Sequence, residues 1–270
     1  MASEQPGPGR LWATGEVYEP YVGRWSRVVA AEFIGRLGVA PGARWLDVGC
    51  GTGALSAAIL ARRAPALLVG MDPSAGFLAH ARRSMADPRT CFLRAEAQAL
   101  PFRDGGFDAV VSGLVLNFVP DPPRAVAAMR RAVRAGGTVA AYVWDYAEGM
   151  QMMRRFWDAA AALDPDGVAG RDEALRFAIC RPGPLRALFG EGGLRDVAVA
   201  EIEVPTVFRD FNDYWAPFLG GQAPAPAYCM ALPEARRLLL RERLRATLPA
   251  GPDGRIPLSA RAWTVLGTVP

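Results

Sequence analysis

One stretch constrains this chain more than any other. It is an apolar run that ends in an acid and breaks into glycines, Leu46-Asp-Val-Gly-Cys-Gly-Thr-Gly53. Arg44–Val48 reads as a short buried strand, and Ala54–Arg63, directly after the glycines, reads as a helix. Gly49, Gly51 and Gly53 permit positive φ and let a ligand lie against the backbone. Asp47 at the strand end can accept hydrogen bonds from loop amides or from a ligand ammonium. A dinucleotide turn of G-x-G-x-x-G/A type seats a pyrophosphate on a helix N-terminus, and Gly49, Gly51 and Ala54 fit that spacing too. The glycines alone therefore leave the ligand class open, beside the plain reading of a tight βα turn.

Strands and helices alternate on both sides of this turn. A helix is expected at about 24–37, where Trp25, Val28, Val29, Phe33, Ile34 and Leu37 recur at helical spacing. After the glycines come a strand at Ala66–Met71, a helix near Ser74–Ser84 and a strand at Cys91–Ala95. A fourth strand at Asp108–Leu114 is followed by a helix from Asp121 to about Arg134, and a fifth strand lies at Thr138–Trp144. That rhythm predicts parallel pairing in a doubly wound α/β sheet.

The second half changes character. Gly149–Leu163 and Pro184–Phe189 read as helices, Asp196–Phe208 as a long strand interrupted by Pro205, and Ala262–Val269 as a final strand. Between those strands, at about 210–258, lies an insertion. It holds an aromatic cluster (Phe211, Tyr214, Trp215, Phe218), a Gly/Pro/Ala loop from Gly220 to Ala227 and an Arg/Leu-rich helix at Pro233–Leu248. The aromatics are read either as core or as an acceptor pocket in which Tyr214 and Trp215 touch substrate. The Arg/Leu helix reads first as a solvated basic face, with RNA or an acidic membrane surface as the lesser readings.

Composition removes whole classes of chemistry. All 31 basic residues are Arg, so mechanisms built on a lysine amine are excluded. His80 is the only histidine, which excludes a histidine metal cluster. It is read as an ordinary helix position. Cys50, Cys91, Cys180 and Cys229 form no CxxC pair and are expected to be buried reduced thiols. No metal site is expected. A net charge of +4 over 270 residues is too small for a nucleic-acid surface. No signal peptide or membrane span is visible and residues 1–10 read as a disordered tail, so a cytoplasmic protein is expected. Oligomeric state is not legible.

Two further acids follow the glycine turn. Asp72 ends the second strand in Val69-Gly-Met-Asp-Pro-Ser74, where an acid accepts hydrogen bonds from ribose hydroxyls; its competing reading is a helix cap. Glu96, after the third strand, is placed to accept from an adenine amino group.

With Asp47-Val-Gly-Cys-Gly-Thr-Gly53, Asp72-Pro-Ser, Glu96-Ala-Gln-Ala-Leu-Pro-Phe102, Gly106-Phe-Asp108 and Arg134-Ala-Gly-Gly137 in order, the sequence resembles the class I S-adenosylmethionine-dependent methyltransferases. It is most similar to their ubiquinone/menaquinone-biosynthesis-like, type 11 group, over about residues 43–145. The resemblance implies a Rossmann-like seven-stranded sheet, mostly parallel with a reversed last strand, in a single domain spanning 1–270. Within it, 1–40 would be an N-terminal tail and helix, 41–146 the cofactor-binding core and 147–270 the acceptor-side half. The insertion would act as a helical lid.

The resemblance also implies the cofactor S-adenosyl-L-methionine, held by Asp47, Gly49, Gly51, Gly53, Asp72, Pro73, Glu96, Ala97, Gln98 and Ser112, with Gly113 alongside. The reaction it implies is in-line methyl transfer to a small-molecule acceptor. Strands four and five of such a sheet point their carboxyl ends at the ligand. That puts Asn117 and Phe118 at the acceptor, with Trp144 as a contact, and makes Asp145 the candidate base, with a loop acid as its plain reading. Tyr18, Tyr21 and Arg24 are expected either to close over the cofactor or simply to pack. The alternatives are an NAD(P)-dependent oxidoreductase and a non-catalytic protein that binds the same cofactor.

Overall fold

In a computed structural model, described for residues 23–220 and 223–270, seven strands form one sheet. In chain order the elements begin with α1 (Arg24–Arg36), β1 (Arg44–Val48), α2 (Ala54–Arg63), β2 (Leu67–Asp72), α3 (Ala75–Ser84) and β3 (Thr90–Arg94). Next come β4 (Phe107–Gly113), a 3₁₀ turn at Leu116–Phe118, α4 (Pro122–Ala132), β5 (Val133–Trp144) and α5 (Gln151–Leu163). The acceptor-side half adds α6 (Pro165–Val168), α7 (Glu173–Arg176), α8 (Pro182–Glu191) and β6 (Arg195–Phe208). It ends with α9 (Phe211–Trp215), α10 (Pro224–Ala231), α11 (Glu234–Thr247) and β7 (Ile256–Thr268).

The strand order is β3-β2-β1-β4-β5-β7-β6. The first five pair in parallel, while β7 runs antiparallel to both β5 and β6. The order therefore reverses between β1 and β4, and a doubly wound sheet opens its ligand crevice at such a point. Central strands of this sheet are covered on both faces and read as unbroken apolar runs. Trp45, Leu46, Val110, Val111 and Val139–Ala141 are fully buried for that reason.

Two of the ordered motifs, Gly106-Phe-Asp108 and Arg134-Ala-Gly-Gly137, hold the sheet's far end together. Asp108 accepts from the Arg44 amide at 2.7 Å and from Arg134 Nε at 2.6 Å, which ties β4 to β1 and β5. Gly137 lies beside the register shift between β4 and β5, where an added Cβ would lie 2.7 Å from the Asp108 carbonyl oxygen.

The structure corrects several expectations. Pro205 does not interrupt β6, which pairs with β7 from Ala198 to Phe208. As the edge strand it can take a proline whose missing N–H faces away from the ladder. Strand β7 begins at Ile256 rather than Ala262, its alternating burial continuing back to pair Ile256 with Phe208. Cys91 is exposed on β3 while Cys50, Cys180 and Cys229 are buried. His80 is half-buried on α3 as expected. Tyr18 and Tyr21 lie outside the described residues. Among the described residues, no helix is long and apolar enough to cross a membrane and no cluster of potential metal ligands occurs.

Candidate active site

The glycine turn is shaped from below. Gly49, Gly51 and Gly53 have φ of +75°, +55° and +96°. A Cβ on Gly49 would sit 2.5 Å from Val115 Cγ2, so only glycine fits, whereas around Gly51 there is open space. Asp47 lies wholly buried beneath the turn and accepts from Ser56 Oγ at 2.6 Å. Its Oδ1 has no partner. Burial, with a smaller push from Asp72, raises its carboxyl to about 7. Ser112 is also fully buried and donates to the Val48 carbonyl at 2.8 Å, clamping β4 to the root of the turn. Asp47, Gly53 and Ser112 thus shape the cradle without lining the cavity, which corrects the expectation of direct contact for them.

Asp72 joins two parts of the cradle. Oδ2 accepts from the Gly51 amide at 3.1 Å and Oδ1 from the Ser74 amide at 2.8 Å. The cap of α3 is Ser74, whose Oγ accepts from the Phe77 amide. Each carboxylate oxygen has two lone-pair sites, so Asp72 keeps capacity for ribose hydroxyls. Burial raises its carboxyl above the ordinary value, against the pull of the two amides.

A cavity of about 830 Å³ opens above the turn. At one end it is lined by Gly49, Gly51, Asp72, Pro73, Glu96, Ala97 and Gln98, the set expected to hold a nucleoside. At the other it reaches Phe118, Tyr142, Trp144, Tyr146, Glu173 and Phe177. Gly113 lies between them, followed by Leu114 at φ +61°. A non-glycine residue held there stores about 1–3 kcal/mol, and such strain concentrates at functional sites.

Of the acceptor-side expectations, Phe118 and Trp144 line the cavity. Phe118 meets Phe177 edge-on at 5.1 Å. Asn117 lies in the 3₁₀ turn and is not among the lining residues. Asp145 is buried and paired with Arg261, whose Nε lies at 2.8 Å and Nη2 at 2.6 Å. Its Oδ1 accepts from the Ala147 and Glu148 amides at 3.1 and 3.2 Å. Gly149 leaves room for this pair, since a Cβ there would meet Asp145 Oδ2 at 2.9 Å. All of this is loop anchoring, so the expectation of a base at Asp145 is corrected.

Tyr214 and Trp215 are corrected in the same way. Both are buried, and neither lines the cavity. Tyr214 donates to the Met152 carbonyl at 2.9 Å, and Phe218 beside it stacks on Phe156 at 4.4 Å. This aromatic layer glues the insertion to α5. The insertion's own share of the cavity wall is Ala223 and Pro224. Arg24 also packs: Nη1 lies 3.2 Å from Asp213 Oδ1, and the guanidinium covers the Trp25 ring at 4.1 Å.

Sequence reasoning passed over Glu173. It opens a four-residue helix, with no periodicity to mark it. Yet it is buried, lines the cavity and accepts at Oε2 from Trp157 Nε1–H, while Oε1 has no partner. Burial raises its carboxyl to about 7.

A strand-order reversal, a positive-φ glycine turn and an acid at the end of β2 define a nucleoside-binding α/β protein. Comparisons with known proteins agree. Residues 46–141 match the family described as methyltransferase domain. A demethylmenaquinone methyltransferase of Roseiflexus castenholzii is 35% identical over 166 residues, covering 57% of this chain and 68% of that protein. An uncharacterized protein of Mycobacterium tuberculosis is 28% identical over 167 residues, covering 60% of this chain. The chain spans 61% of that relative's length. Among solved structures, Haemonchus contortus phosphoethanolamine N-methyltransferase 2, bound to S-adenosylhomocysteine, has a TM-score of 0.56 at 14% identity and covers 94% of this chain and 56% of its own; it shows the likeness of fold. The chain belongs to the class I S-adenosylmethionine-dependent methyltransferase family. That assignment settles the glycine turn in favour of S-adenosyl-L-methionine over a dinucleotide. The residues fit the cofactor: the open space at Gly51 and the acid at Asp72 both border the cavity.

Proposed function

We propose that the protein transfers a methyl group from S-adenosyl-L-methionine to a small, largely apolar acceptor. The observation that carries this reading is the single cavity that joins the cradle of Gly51, Asp72 and Glu96 to an aromatic end at Phe118, Trp144, Tyr146 and Phe177. Tyr142, Trp144 and Tyr146 are buried there, which favours a small molecule over a protein or nucleic-acid chain. The name of the Roseiflexus relative, demethylmenaquinone methyltransferase, points the same way.

When bound, the cofactor supplies an already activated sulfonium methyl. The chain's own work is then to position and to exclude water. Asp72, oriented by the Gly51 amide, would fix the ribose, and Glu96 with the Ala97 and Gln98 segment would hold the adenine. Aromatic walls would hold the acceptor in line with the methyl. Positioning of that kind contributes up to about 7–11 kcal/mol of barrier lowering. The insertion, anchored by Phe218 on Phe156, closes the cavity from the side of Ala223 and Pro224 as a lid.

Isotope-labelled cofactor incubated with a host small-molecule extract, then mass spectrometry, tests the reading. A labelled metabolite is the expected product. Label found only in protein or nucleic acid would reject a small acceptor, and no transfer at all would favour a non-catalytic binder.

A further inference from the structure

Two buried polar atoms without partners belong to residues that line the aromatic end of the cavity: Oε1 of Glu173 and Nε1 of Trp144. One is a hydrogen-bond acceptor and the other a donor. A buried polar group left unpaired is costly, so each of the two calls for a partner that an occupant of the cavity can supply. Arg154 favours the charged form of Glu173 through space but spends its hydrogen bonds elsewhere. Arg154 of α5 is already paired with Asp172 at 2.6 Å and also donates to the Tyr146 carbonyl. Trp157 holds Oε2 and thereby fixes the carboxyl group in place. Around it the cavity wall is Phe118, Phe177, Tyr146 and Met153.

A hydroxyl group matches this pair. It donates one hydrogen and still has a lone pair to accept the indole N–H after another has attacked. An amine nitrogen has a single lone pair, which the attack consumes. Resting on the methyl-transfer reading above, we propose that the acceptor is an aromatic hydroxyl compound whose O–H donates to Oε1 of Glu173, and that Glu173 takes its proton during transfer. As an oxygen lone pair forms the new C–O bond, the carbon–sulfur bond of the donor breaks with its electrons kept by sulfur. The O–H electrons remain on oxygen and the proton passes to Oε1. The products are a methyl ether, a neutral thioether and a protonated Glu173, which returns its proton to solvent on release. A general base performs best with a pKa close to the working pH, and burial has moved this carboxyl to about 7. The charged groups bearing on that value are Asp172, which raises it, and Arg154, which lowers it.

Calorimetry on the full chain saturated with S-adenosylhomocysteine tests this with three probes: 1-naphthol, 1-methoxynaphthalene and 1-naphthylamine. Naphthol is expected to bind at least tenfold more tightly than the methoxy compound, and more tightly than the amine. In Glu173→Gln that advantage falls to less than threefold, while S-adenosylhomocysteine affinity is unchanged. The unchanged nucleotide affinity shows that the variant is folded and keeps failure of this inference apart from failure of the methyl-transfer reading. Should the Glu173→Gln substitution prevent folding, the wild-type comparison of naphthol with its methyl ether decides alone. Equal binding of those two, a preference for the amine, no binding of any probe, or an advantage that survives in Glu173→Gln overturns the proposal.

Discussion

The main-chain amide of Gly51 donates to Oδ2 of Asp72 at 3.1 Å, across 21 residues of sequence. This bond couples the turn after β1 to the end of β2, so the acid expected to hold the ribose also sets the shape of the turn. Asp72→Ala should therefore weaken S-adenosylhomocysteine binding at least tenfold, about 1.4 kcal/mol. Equilibrium titration of the folded variant measures it, and wild-type affinity would remove the assignment.

The pair of Asp145 and Arg261 joins the end of β5 to β7, and its carboxylate is almost fully buried. Removing one partner of a buried pair costs about 3–5 kcal/mol. Asp145→Ala and Arg261→Ala should each unfold at lower denaturant, with a coupling above about 1 kcal/mol in the double-mutant cycle. A catalytic acid in solvent contact would instead show near-wild-type stability and lost turnover.

Asp47 gives a pH dependence. Its folded pKa, about 7, exceeds the ordinary carboxylate value, so between about pH 4 and 7 the folded chain binds more protons than the unfolded one. Its contribution to stability is thus present below about pH 4 and fades as pH rises toward 7. Asp47→Asn removes that titration. Denaturant midpoints measured across that same pH window should fall less steeply for the variant than for the wild type; identical slopes would contradict the burial argument.

Tyr214 is assigned to packing, with its hydroxyl spent on the Met152 carbonyl. Tyr214→Phe should cost about 1 kcal/mol of stability and leave ligand affinity in the cavity unchanged. A rise in acceptor KM without loss of stability would return the residue to the pocket.

Much of the cradle was legible because it is local. Gly49, Gly51, Asp72 and Glu96 sit at fixed offsets from strand ends, and apolar runs locate those ends. The acceptor side was less legible. Glu173 reaches the cavity through the packing of a four-residue helix onto α5, a contact between segments with no periodic signal. Asp145 occupies the right place in the chain for a base, but its partner Arg261 lies 116 residues on, in a strand that begins ahead of the apolar run that marks it in the sequence. Tyr214, Trp215 and Phe218 show helical spacing whether they line a pocket or a core, and only their burial against Phe156 separates the two.

Calorimetric titration of the full chain with S-adenosylhomocysteine, and in parallel with NAD, reaches the foundation of the account. One saturable site for S-adenosylhomocysteine, lost or weakened in Asp72→Ala, with no heat from NAD, is the predicted result. A chain that ignores the thioether nucleoside, or that takes up NAD in its place, contradicts the account.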